Sequence, residues 1–195
     1  MYRVNEAGST LVESCRKIAT NGVASAAANV DAQAQFPESS IRSLADAGLF
    51  GLTLPREVGG QEQGPSAFAA IVEELAQSCA STAMIYVMHI TATQAIAASS
   101  TLGGKNELLT EIAAGRHLTS LAFSERGSRS QFWAPVSRLE ETSNGNFVTS
   151  AQKSWVTSAS HADSFVSSAQ KPGAESPLES VIYLVDRKAD GVHVE

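Results

Sequence analysis

Paired cysteines, a surplus of basic residues and long apolar runs are all missing from this chain. Its two cysteines, Cys15 and Cys79, stand far apart with no C-x-x-C pairing. Each lies in an apolar, helix-patterned stretch, so two buried reduced thiols and a cytoplasmic setting are expected. The four histidines are scattered without metal-ligand spacing, and no metal site is expected. Lys and Arg total 14 against 20 Asp and Glu, a net charge of -6. That balance excludes nucleic acid and anionic membrane as bulk partners, because both require a basic surface. It leaves room for an anionic cofactor held locally by backbone N–H groups. Met1 to Thr10 lacks a basic start followed by an apolar core, so no secretory signal is read there. The longest apolar stretch, around Ala83–Ala98, is interrupted by His89, Thr91, Thr93 and Gln94, which excludes it as a membrane span.

What is present is the material of a folded domain: 43% hydrophobic and 17% charged residues in a chain of 195, enough to bury a core. The texture changes near residue 116. Before it, Ala and Leu recur with helical spacing; after it, Ser, Thr, Val and aromatic residues form strand-like runs. This predicts an α+β chain, an N-terminal all-α helical domain over 1–116 followed by β-structure over 117–195.

The punctuation locates the elements. A T-x-x-E capping box at Thr10 and Glu13 predicts a first helix from Thr10 to about Val30. Pro37 and Gly48 bracket a second, and Pro65 opens a third that ends near Ser78. Thr82–Ser99 is apolar nearly all round and is expected at the centre of the helical domain. Lys105–Ala114, closed by Gly115, is the fifth. In the second half, Asn144-Gly145 is a hairpin turn signal between Val136–Glu141 and Asn146–Ala151. Ser164–Ala169 and Ser180–Asp186 read as two further strands.

Several segments, in order, carry a resemblance to a known family. Phe36-Pro37, then Leu44 through Pro55, then Gly59-Gly60 form a "GL…G…P…GG" segment. Glu73-Glu74-Leu75-Ala76 and Ser81-Thr82-Ala83 follow. Leu121-Ala122-Phe123-Ser124-Glu125 is similar to a flavin-contact loop of the T-E-P-G type. Lys153-Ser154-Trp155-Val156-Thr157 with Ala162-Asp163 is similar to a "K-x-W-[IV]-T…AD" strand. Over about residues 30–195 the chain thus resembles the acyl-CoA dehydrogenases.

The resemblance implies a specific architecture and chemistry. The family joins an N-terminal helical domain, a middle β-barrel and a C-terminal four-helix domain, binds FAD, and assembles as a homotetramer. Here the second domain is expected to be a truncated antiparallel β-barrel and the C-terminal four-helix domain to be absent. By resemblance, Phe123 and Ser124 line the pyrimidine edge of the flavin, Trp155 packs beside the ring and Thr157 hydrogen-bonds near N5. Ser130 stands where the family contacts phosphate or acyl-CoA. The family's G-x-G-S-D sequence is replaced here by Gly127-Ser128-Arg129-Ser130-Gln131, and Arg129 stands in place of a glycine. The implied activity is FAD-dependent oxidation of a CH-CH bond in an acyl-CoA, in fatty acid metabolism. The family's catalytic glutamate belongs to the C-terminal domain, so no catalytic residue is assigned. The chain is expected to be inactive by itself and to work as a homo-oligomer or with a complementing C-terminal half. Two alternatives stay open, a flavin-dependent monooxygenase of the same fold and a non-catalytic interaction subunit. Glu125 is read as stabilising its loop, His89 as a satisfied core histidine, and Met84 and Met88 as core packing.

Overall fold

A computed structural model describes residues 3–128 and 131–195. The chain divides into two compact units, Met1–Thr119 and Ser120–Glu195.

The first unit is helical. Its elements are α1 (Glu6–Ile18), α2 (Ala24–Ala32), α3 (Glu38–Asp46), α4 (Pro65–Ser78), α5 (Ala80–Ala98) and α6 (Lys105–Ala113). α1 begins four residues before the Thr10 capping box because Asn5 caps it instead, its side chain accepting the Gly8 N–H at 2.7 Å. A π-helical turn, Ala19–Val23, joins α1 to α2. Pro65 at the first turn of α4, and Gly48 and Gly115 in left-handed conformation after α3 and α6, act as their residue types suggest. The core forms where α4 and α5 pack: Ile71 and Leu75 are fully buried against the layer that holds Tyr86 and Ile90. Tyr86 donates its hydroxyl to the Leu49 carbonyl at 2.8 Å, so its one polar atom is satisfied inside the core. Cys15 and Cys79 are buried and unpaired by any disulfide. Met84 departs from the core reading: it lies half exposed, on the outer side of α5.

The loop after α3 turns back on itself at Gly51 and Gly60. Gly51 O accepts from Leu54 N and Gln61 N, and a Cβ on Gly60 would lie 2.1 Å from the Leu54 carbonyl oxygen. Only glycine permits that approach.

The second unit is a β-region rather than a closed barrel among the described residues. β1 (Thr119–Ala122), β4 (Ser164–Gln170) and β5 (Ser180–Asp186) form a sheet in the order β1-β4-β5, and β2 (Leu139–Glu141) pairs with β3 (Phe147–Thr149) as a hairpin. β4 and β5 are antiparallel from Ser164↔Asp186 to Gln170↔Ser180. β2 and β3 close on the Asn144-Gly145 turn with Leu139 opposite Thr149. β4 is buried along its whole length. The fold class expected from the sequence, helices first and an incomplete β-domain after, is the one the chain adopts.

Candidate functional site

Phe123 and Ser124 leave the end of β1 half-buried and run into Glu125. Glu125 forms an antiparallel bridge with Lys153. The bridge is flanked by two backbone hydrogen bonds: Ser154 N–H donates to Ser124 O at 2.9 Å, and Arg126 N–H donates to Gln152 O at 3.1 Å. Thus Phe123–Ser124 and the stretch entering Trp155–Thr157, distant in sequence, are pinned side by side.

The side chains of the bridge reinforce it. Lys153 Nζ lies 2.5 Å from Glu125 Oε1 and donates to the Ser168 carbonyl of β4 at 2.7 Å. Glu125 Oε2 accepts the N–H groups of Val136 at 2.6 Å and Ser137 at 2.7 Å, while the Ser137 hydroxyl donates to Oε1. Burial alone would raise the Glu125 carboxyl, but hydrogen bonds from Lys153 and Ser137 outweigh it and hold the group below its ordinary value. Burial lowers the Lys153 ammonium, opposed by Glu125.

Past the bridge the backbone does not continue as the strand expected from the K-x-W segment. Trp155 takes φ 58 and Ser158 φ 61, left-handed values that non-glycine residues seldom adopt. Hydrogen bonds from Ala159 N to Val156 O, and from His161 N and Ala162 N to Ser158 O, turn the chain into β4. This turn puts Trp155 outside, 94% exposed. Thr157 sits half-buried beside it, as Ser124 does at the end of β1. Ser158 Oγ is buried and has no hydrogen-bond partner among the described residues. Ser130, with Arg129, lies outside the described residues.

Residue typing placed Lys153 in a motif but not in a site; its partnership with Glu125 and the Ser168 carbonyl comes only from the way the sheet brings distant segments together. His89 is a buried histidine of the first unit. Thr119 N–H donates to its Nδ1 at 3.2 Å, and its ring stacks at 4.1 Å, tilted, on Phe50. Burial lowers its pKa to about 3, and Nε2 has no hydrogen-bond partner among the described residues.

Residues 5–116 match the family profile described as "Acyl-CoA dehydrogenase, N-terminal domain". The chain belongs to the acyl-CoA dehydrogenase family. Among curated members, cyclohexane-1-carbonyl-CoA dehydrogenase of Syntrophus aciditrophicus is 31% identical over 193 residues, covering 95% of this chain and 48% of that protein. The mitochondrial short-chain specific acyl-CoA dehydrogenase of Sus scrofa is 27% identical over 157 residues, covering 80% of this chain and 38% of its own length. The family chain described here therefore spans less than half the length of these relatives. Its fold is that of butyryl-CoA dehydrogenase from Megasphaera elsdenii, with a TM-score of 0.88 at 15% identity over 98% of this chain and 51% of the other. Among the described residues of this family member, no helix is long and apolar enough to cross a membrane.

Proposed function

We propose that this chain contributes the N-terminal and middle portions of an FAD-dependent acyl-CoA dehydrogenase, and that Phe123, Ser124, Trp155 and Thr157 hold the flavin ring. The observation that carries this reading is the bridge between Ser124–Arg126 and Gln152–Ser154, which gathers four residues from two segments. The residues fit the group. Ser124 and Thr157 are half-buried residues that carry hydroxyls, which suits the polar edge of a planar heterocycle. Trp155 offers an exposed aromatic face on a backbone held in a left-handed turn. Bound FAD supplies a hydride acceptor for α,β-dehydrogenation of an acyl thioester.

The protein's part is positional. Phe123 and Ser124 present their backbone and hydroxyl groups to one edge of the ring, Trp155 shields a face from water, and Thr157 donates its hydroxyl near the reacting nitrogen. Ser130 completes the reading as the contact to phosphate or to acyl-CoA. The substrate class is an acyl-CoA, and the working assembly includes further copies of the chain.

The experiment is a visible spectrum of the purified chain after incubation with FAD and removal of free flavin. A retained flavin band that Thr157→Ala and Trp155→Ala each diminish supports the assignment. A chain that retains flavin equally well in both variants refutes it. Oxygen consumption with reduced flavin, and no acyl-CoA oxidation, would transfer the reading to a monooxygenase of the same fold.

A further inference from the structure

Glu125 and Lys153 together tie four stretches of the second unit. Through its carboxylate, Glu125 collects the N–H groups of Val136 and Ser137 and the Ser137 hydroxyl; Lys153 joins that carboxylate to the Ser168 carbonyl in the middle of β4. The two residues are also the paired positions of the bridge between the candidate flavin segments. Their side chains are only 3% and 13% exposed, so neither leaves its partner without stranding a desolvated charge. Backbone bonds from Ser154 N to Ser124 O and from Arg126 N to Gln152 O flank the pair, immediately before the left-handed Trp155.

We infer that Glu125 and Lys153 are positioning residues: their ion pair fixes the Phe123–Ser124 loop against the Trp155–Thr157 turn and anchors both to β4, which sets the geometry in which the flavin ring is held. The last step rests on the flavin reading above; the fixing of the two loops does not. Neither side chain is assigned a contact with the flavin.

Hydrogen exchange and FAD retention are measured together on the full chain as wild type, Glu125→Gln and Lys153→Arg. Glu125→Gln keeps the shape and removes the charge; Lys153→Arg keeps the charge and the reach. In Glu125→Gln the amides of Arg126 and Ser154 are expected to exchange at least about tenfold faster while the β4–β5 amides keep their protection. FAD retention weakens by roughly tenfold to a hundredfold, as for a ring displaced within its site. Lys153→Arg, which keeps the charge, is expected to leave both readouts close to wild type. The inference is overturned if the Arg126 and Ser154 amides of Glu125→Gln exchange as in wild type. It is equally overturned if the β4–β5 amides lose protection to the same extent, since the pair would then only hold the unit together. A wild-type chain that retains no FAD refutes the flavin reading, and the exchange comparison still decides whether the pair fixes the loops. Should Glu125→Gln not fold, Ser137→Ala removes one donor to the carboxylate, and faster exchange confined to the same two amides is the expected result; unchanged exchange overturns the inference.

Discussion

Lys153 Nζ and Glu125 Oε1 lie 2.5 Å apart inside the second unit; Glu125 also accepts the N–H groups of Val136 and Ser137, and Lys153 donates to the Ser168 carbonyl of β4. Removing one partner strands the other. Lys153→Met is therefore expected to destabilise the unit by about 3–5 kcal/mol, the usual cost of an uncompensated buried charge. Glu125→Gln likewise leaves the Lys153 ammonium without its counter-charge and is expected to cost a similar amount. Urea unfolding followed by Trp fluorescence checks both. Because the Glu125 carboxyl is held below its ordinary value, its contribution is complete above the unfolded carboxylate range and is lost as pH falls through the folded value.

His89 gives the first unit its own acid sensitivity. The imidazole is neutral when folded, its pKa lowered from 6.5 to about 3 by burial. In the unfolded chain it takes up a proton below 6.5, so stability is complete above that pH and declines as pH falls towards 3. The slope approaches about 1.4 kcal/mol per pH unit, the value for one proton. Thermal melts in the interval just below pH 6.5, above the carboxylate range, isolate this group. His89→Asn keeps an acceptor for Thr119 N–H and is expected to flatten the dependence there.

The thiols should be silent in the native state. Burial, with Glu74 adding and Arg16 opposing, pushes the Cys15 thiol up to about 12, and Cys79 is also buried. Since the thiolate is the reactive form, a chromogenic thiol reagent at mildly alkaline pH is expected to modify neither cysteine until the chain is unfolded. Rapid native labelling of Cys15 would contradict the packing of α1 on α4.

Two glycine substitutions should act in opposite directions. A Cβ on Gly60 meets the Leu54 carbonyl oxygen at 2.1 Å and its carbon at 2.4 Å. Gly60→Ala is expected to cost about 1–3 kcal/mol or more, since backbone must shift to admit it. Gly22 is exposed within the helical run and a Cβ there meets nothing within 4 Å. Gly22→Ala is expected to stabilise by about 0.5–1 kcal/mol. Melting temperatures of the two variants, compared with wild type, check the pair.

The helices were legible because each carries its signal locally. Pro65 and the apolar spacing of Phe68, Ile71, Val72 and Leu75 define α4 to the residue. β5 (Ser180–Asp186) was equally plain from its run of Val181 to Val185. The start of α1 was misplaced because two candidate caps compete within a few residues, and Asn5 accepts the Gly8 N–H while Thr10 instead donates its hydroxyl back to the Glu6 carbonyl. β1 carries no strand signal of its own: Thr119–Ala122 is short, its last two residues belong to the segment that resembles a flavin-contact loop, and it draws its strand character from pairing with β4. The K-x-W segment was expected to be a strand because Trp, Val and Thr favour one. The left-handed backbone at Trp155 and Ser158 overrides that propensity, and no local pattern announces it.

By itself, the sequence determined the order of helices before strands, the apolar faces that bury α4 and α5, the Asn144-Gly145 hairpin and the family to which the chain belongs. These follow from periodicity, caps, turn residues and local motifs, which act over a few neighbouring positions. Only the tertiary structure decided that Glu125 meets Lys153, Ser137 and Val136, that Ser124 is pinned to Ser154, and that Trp155 stands outside rather than in a core. Those contacts join residues far apart in the chain, and the register of a sheet and the burial of a charge are set by the whole unit as it closes.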